Sequence, residues 1–195
     1  MRTRDYDKQQ RIKEAMMRLI LREGINGASV SKIAREAGVS PATIYIYYAS
    51  KEDLLSAAFR EYSHQSYAYL NRRLRPEMGP AELIEAIVRG YYAYSTEHEE
   101  IFSFVEQCAH CPTLADYVSQ QEYCGGIFEL LHRYQARGLI RRCSDLNLAA
   151  VLIAPVRFLA MNRAGLFCGG DACGEAEAEA ELKELVKMLQ ELLTT

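Results

Sequence analysis

The sequence predicts an all-α protein, and three observations predict it. Apolar residues recur at three- and four-residue spacing along nearly the whole chain, no segment alternates apolar with polar as a half-buried strand does, and Gly and Pro fall at helix-length intervals. The 195 residues, 49% hydrophobic and 25% charged, supply a core that needs neither disulfides nor metal. Collagen-like, disordered and mini-protein classes are excluded.

The elements follow in order. Ile12, Ala15, Met16, Leu19 and Ile20 form the apolar stripe of a first helix, which Gly24 closes. Ser29 caps a second helix carrying Ile33, Ala34 and Ala37, and Gly38 terminates it. Ser40 and Pro41 open a third over 41–48, since a proline there removes only an N–H that would lack an intrahelical partner. Ser50, with Asp53 three residues on, is an acidic variant of the capping box and opens a long helix over 51–75 that Pro76-Glu-Met-Gly-Pro80 ends. Further helices read as 81–97, 99–110, 113–137, 145–165 and 175–193, separated by Pro112, by Gly138 and by a loop over 166–174. Pro155 is expected to bend the helix 145–165. About nine helices result: an N-terminal three-helix domain over 1–50, then a helical domain over 51–195 that begins with the connecting helix 51–75.

Net charge is −3, but residues 1–62 hold 11 Lys+Arg against 8 Asp+Glu (+3) and residues 63–195 hold 12 against 18 (−6). The basic third is therefore the N-terminal one. No run of about 18 apolar residues appears, so no membrane partner is expected. A polar N-terminus without an apolar h-region points to the cytoplasm, where the six cysteines are expected to be reduced thiols.

Helix 29–37, the Gly38-Val39 turn and helix 41–48 have the spacing of a helix-turn-helix. The second helix packs through Ile44 and Tyr48 and leaves Pro41, Ala42, Thr43, Tyr45 and Tyr47 to face a groove, where short, hydroxyl and aromatic side chains suit base-edge and phosphate contacts. The alternative, that Tyr45, Tyr47 and Tyr48 all pack in a bundle, requires three aromatics within four positions to point one way. Arg2, Arg4, Lys8 and Arg11 are either a phosphate-contacting arm or a solvated segment whose charge Asp5 and Asp7 dilute.

Ile33-Ala-Arg-Glu-Ala-Gly-Val-Ser40, followed by Thr43-Ile-Tyr-Ile-Tyr-Tyr-Ala-Ser-Lys-Glu-Asp-Leu-Leu55, resembles the N-terminal signature of the tetracycline-repressor (TetR) family, over about Arg11 to Ala57. The resemblance implies a homodimeric transcriptional regulator, usually a repressor, that a small molecule releases from a palindromic operator on double-stranded DNA. By position, Ser31, Pro41 and Ala42 fall where the family contacts base edges; Thr43, Tyr45, Tyr47 and Lys51 fall where it contacts phosphate, Tyr45 sometimes a base. Lys32 is counted with them. An ammonium in the first turn of a helix opposes the helix dipole unless an anion faces it, which agrees with the Lys51 assignment. The family often has Arg or Thr where Ser31 stands, so a bidentate Arg–guanine contact is missing; Tyr48 replaces a commonly buried Phe and must find its hydroxyl a partner or solvent.

In the remainder, Tyr91, Tyr92, Tyr94, Phe102, Phe104, Tyr117, Tyr123, Phe128 and Tyr134 offer apolar walls with hydroxyl handles. The expected effector-binding residues are Tyr91, Tyr94, Phe102, Phe104, Cys108, Tyr123, Phe128 and Phe158; ordinary core packing accounts equally for many of them. Cys108-Ala-His-Cys111 suggests a thiol-redox or metal-responsive alternative, with Cys124 as a further ligand, but a structural zinc site wants four ligands and no second matching pair exists. Cys168 and Cys173 flank a Gly-Gly turn. No metal or cofactor is therefore expected. Leu182, Leu185, Val186, Leu189, Leu192 and Leu193 make one stripe, and 146–164 is apolar over most of its circumference; helices 145–165 and 175–193 of two copies would bury these faces as a four-helix bundle. No nucleophile elbow, phosphate loop or His-Glu-x-x-His is present, so the chain is not expected to be an enzyme.

Overall fold

A computed structural model describes residues 2–109, 111–115, 125–163 and 174–194, with the side chains of residues 2–4 and 125 left aside. Among these residues the fold is all-helical, its only extended pairing an isolated antiparallel bridge between Ile140 and Thr194. The helices are α1 (Arg2–Gly27), α2 (Val30–Ala37), α3 (Pro41–Tyr47), α4 (Lys51–Asn71), α5 (Pro80–Glu97), α6 (Glu99–Cys108), α7 (Gly125–Ala136), α8 (Asp145–Leu152), α9 (Ala154–Arg163) and α10 (Glu175–Leu193), with a 3₁₀ turn at Pro112–Leu114. Among the described residues, counting α8 and α9 as one broken helix makes nine.

The chemistry of the termini accounts for most boundaries. Ser29, Ser40, Ser50 and Ser144 each accept the amide of the residue three ahead, at 3.4, 3.2, 3.1 and 3.3 Å. Asp53 accepts in return from the Ala49 amide at 2.8 Å, closing the acidic capping box one residue before the cap. α1 runs past Gly24, which takes the left-handed φ of 75° and kinks the helix, rather than ending there. α4 ends at Asn71, four residues before Arg75, because the amides of Arg73 and Leu74 turn to the carbonyls of Leu70 and Asn71. The long helix expected over 113–137 instead begins with the 3₁₀ turn, and α7 is described from Gly125. The break at Ile153 lies ahead of Pro155, whose missing N–H leaves no donor for the preceding turn.

The chain divides into two compact units. The first holds residues 1–65 and 98–123, the second residues 66–97 and 124–195. This division differs from the boundary expected at 50/51 for two reasons: α4 belongs to both units, and α6 packs on α1. In the first unit Ile12, Met16, Leu19, Ile20, Ile33, Ile44, Leu54 and Leu55 form one core with Phe104, Cys108 and Leu114. Lys13, also buried, pairs with Glu61.

In the second unit α5 is the central helix, contacted by α8, α9 and α10. The stripe on α10 is used largely here: Leu182, Val186, Leu189 and Leu193 are buried within the unit, while Met188 and Leu192 remain exposed. The phenol of Tyr134 donates to the carbonyls of Pro76 and Met78 and so ties α7 to the turn between α4 and α5. By length and composition alone the segment Asp145–Arg163 is long and apolar enough to cross a bilayer; it is interrupted at Ile153 and contacts α5 and α10.

Candidate nucleic-acid interface

The geometry of α2 and α3 is set within ten residues of chain. Gly38 takes φ 66° and ψ 39°, its amide donating to the Arg35 carbonyl at 3.3 Å while Val39 donates to Ala34 at 2.9 Å. This pair of bonds is a Schellman closure, and it requires a residue that tolerates positive φ. One residue later Ser40 caps α3, so the two helices are joined by a turn with almost no freedom.

α3 buries Ile44, at 1% exposure, together with Tyr48 just past its end, as the sequence predicts. Burial pushes the Tyr48 phenol up to about 12, and the Glu61 and Asp53 carboxylates add to the shift. The opposite side carries Pro41, Ala42, Tyr45 and Ile46, all exposed, with Tyr45 at 58% and Ile46 at 75%. Ile46 is absent from the residues expected to face a groove. Its spacing of four from Ala42 is the signal that could have placed it there.

The other expected contacts have partners inside the protein. The hydroxyl of Thr43 lies 2.9 Å from that of Ser40. Tyr47 is half-buried and donates to the Asp5 carboxylate at 3.0 Å; burial first, then Asp5, raises its phenol above the ordinary value. Lys32 donates to Glu23 at 2.7 Å and to the Gly27 carbonyl at 2.9 Å, and this contact is the main cause holding the Glu23 carboxyl below its ordinary value. Lys51 donates to the Ile25 carbonyl at 3.3 Å, so a carbonyl oxygen occupies the place that the dipole argument reserved for an anion. Ser31 is exposed on α2. Residues 2–8 form the first turns of α1.

The residues expected to bind an effector are divided between the units. Phe104 is fully buried in the first unit, edge-on to Tyr62 with ring centroids 5.5 Å apart, and Phe102 is buried as well. Cys108 is fully buried in the same core; burial, then Cys111, pushes its thiol up to about 12. A thiol so protonated at neutral pH is a poor nucleophile and a poor metal ligand. Among the described residues no cluster of three metal-ligating side chains occurs. In the second unit Tyr91 and Tyr94 are buried on α5, with Tyr94 edge-on to Tyr69 at 5.2 Å and its phenol pushed up to about 12 by burial. Phe128 on α7 is half-buried, and Phe158 on α9 is half exposed. Tyr117, Tyr123, Cys124, Cys168 and Cys173 lie outside the described residues. A groove of about 710 Å³ between α5 and α10 has walls of Glu85, Arg89, Lys183, Glu184 and Lys187, and none of the expected effector residues lines it.

Residues 12–58 match the model of the bacterial regulatory proteins of the tetR family. A curated relative from Haemophilus influenzae, an uncharacterized HTH-type transcriptional regulator, is 27% identical over 150 residues, which cover 74% of this chain and 77% of that one. The HTH-type nicotine-responsive transcriptional repressor HdnoR of Paenarthrobacter nicotinovorans is 35% identical over 65 residues, 33% of this chain and 34% of its own. Among solved structures, a TetR family transcription regulator from Marinobacter aquaeolei superposes with a TM-score of 0.81 at 25% identity, covering 100% of this chain and 99% of that one.

Proposed function

Because the chain belongs to the TetR family of DNA-binding transcriptional regulators, we propose that it is a homodimeric repressor that holds a palindromic operator through α2 and α3 and leaves it when a small molecule binds the second unit. The observation that carries this reading is the exposed face of α3, held by a cap at one end and a Schellman turn before it, with Tyr45 standing clear of the surface. Ser31, Pro41, Ala42 and Tyr45 are open to base edges. Lys32, Thr43, Tyr47 and Lys51 exchange an internal partner for phosphate when DNA arrives.

A palindrome requires two reading heads about 34–36 Å apart, hence two copies. Support for pairing comes from large apolar side chains that the second unit leaves in water: Leu146 at 73%, Phe158 at 50%, Met188 at 59% and Leu192 at 44% exposure. α8, α9 and α10 carry them, and burying them against a second copy also gives the apolar segment Asp145–Arg163 a non-lipid partner. Tyr91, Tyr94 and Phe128 are the described effector candidates in this unit. Because α4 has residues in both units, an effector that prefers one conformer of the second unit shifts the population of DNA-competent dimers by its differential affinity. The nicotine-responsive relative, over the third it shares, supports a repressor that answers to a small molecule.

The test is fluorescence anisotropy of the full chain with duplexes tiling the DNA beside its own gene, at several salt concentrations. Sequence-specific binding that weakens steeply with salt, and falls at least tenfold in Tyr45→Ala, is expected. Weak binding indifferent to sequence and to that substitution overturns the reading.

A further inference from the structure

Base pairs are read in the major groove by a short list of chemistries. Arg and Lys suit guanine, Asn and Gln suit adenine, Asp and Glu suit cytosine, and apolar side chains suit the C5-methyl group of thymine. α3 reads Pro-Ala-Thr-Ile-Tyr-Ile-Tyr and contains none of the first six residue types. Its Thr43 and Tyr47 hydroxyls, paired with Ser40 and Asp5 in the free chain, are assigned above to phosphate rather than to base edges. Ala42, Tyr45 and Ile46 share one face at spacings of three and four, and Ile46, an aliphatic side chain at 75% exposure, is the most exposed large apolar residue among those described. An isoleucine this open on an otherwise well-packed domain carries a cost in water that burial against an apolar partner removes.

We infer that α3 reads its operator through thymine C5-methyl groups, with Ile46 as the principal contact and Ala42 as a second. The inference rests on the DNA-binding reading above and adds to it the base feature recognised. Contact between the Ile46 side chain and a thymine methyl in each half-site removes both from water. Tyr45 contributes the face's remaining hydrogen-bonding hydroxyl. Specificity is then for T at the positions beneath Ile46 and Ala42, without a bidentate guanine contact from this helix.

The test uses the full chain and a duplex enriched from a random DNA pool. Each thymidine in that duplex is replaced in turn by deoxyuridine, which keeps the base pair and deletes only the methyl. At one position per half-site the replacement is expected to weaken binding about fourfold, and about fifteenfold when made in both half-sites of a palindrome. Ile46→Ala is expected to bind the thymidine duplex about as weakly as the wild type binds the uridine duplex, and to discriminate no further between them. Its unfolding temperature and its oligomeric state without DNA stay those of the wild type. Equal wild-type affinity for every uridine duplex overturns the inference while leaving the DNA-binding reading intact, and so does an Ile46→Ala variant that still discriminates. A change of oligomeric state in Ile46→Ala without DNA assigns the residue to a protein–protein contact and likewise overturns it. A pool from which no sequence is enriched overturns both readings.

Discussion

Lys13 and Glu61 form an ion pair whose partners are unequally buried, with side-chain exposures of 7% and 29%. Removing either one does not cost the same. Glu61→Ala strands an ammonium whose side chain is only 7% exposed, whereas Lys13→Met leaves a carboxylate that is already partly solvated. Glu61→Ala is therefore expected to destabilise the fold by about 3 kcal/mol and Lys13→Met by clearly less, measured by urea unfolding of each variant. The buried phenols give a second prediction. Tyr48 and Tyr94 ionise near 12 in the folded chain, above the ordinary 10, so the folded state favours the neutral form. Their contribution is fully present below pH 10 and is lost as pH rises toward 12, at about 1.4 kcal/mol per pH unit for each phenol, because the unfolded chain ionises first. A tyrosinate absorbance titration should show these phenols appearing late and together with unfolding. Polar partners are the least legible feature of the sequence: those of Lys32, Tyr47 and Lys51 are Glu23, Asp5 and Ile25, residues that only folding brings near.

At the scale of single elements the reading was good wherever the cause lies within four residues. Ser29, Ser40 and Ser50 were identified as caps, and each accepts the bond that its position requires. Gly38 is the position where the turn depends on one residue. A Cβ there meets nothing within 4 Å, so Gly38→Ala costs only the positive φ, about 1 kcal/mol, and Gly38→Asn less. Thermal unfolding of the two variants checks the order, and inversion of it would place the cost in packing instead. Boundaries failed where the stop signal was not the nearest Pro or Gly: α4 ends before its proline, and α1 passes through its glycine with a kink.

For the whole molecule the decisive question is how many copies act together. Phe158→Arg places a charge on an exposed ring, so the monomer should fold as before. If the second unit pairs through α9 as proposed, the variant sediments as a monomer and loses at least tenfold in operator affinity. Unchanged sedimentation would move the interface elsewhere. The stripe on α10 shows what sequence alone leaves open at this surface. A helical stripe announces that something covers it but not what, and α5 of the same chain covers most of it.

The sequence by itself determined the all-helical class and the three serine caps that start α2, α3 and α4. These depend on hydrogen-bonding and dihedral preferences that act over three or four residues. Only the tertiary structure decided that α6 lends Phe104 and Cys108 to the core of the first unit, that Lys13 meets Glu61 across 48 positions, and that Ile46 stands in water while Ile44 does not. Burial and ion pairing are set by neighbours distant in the chain, and periodicity records that a face is apolar without recording who fills it.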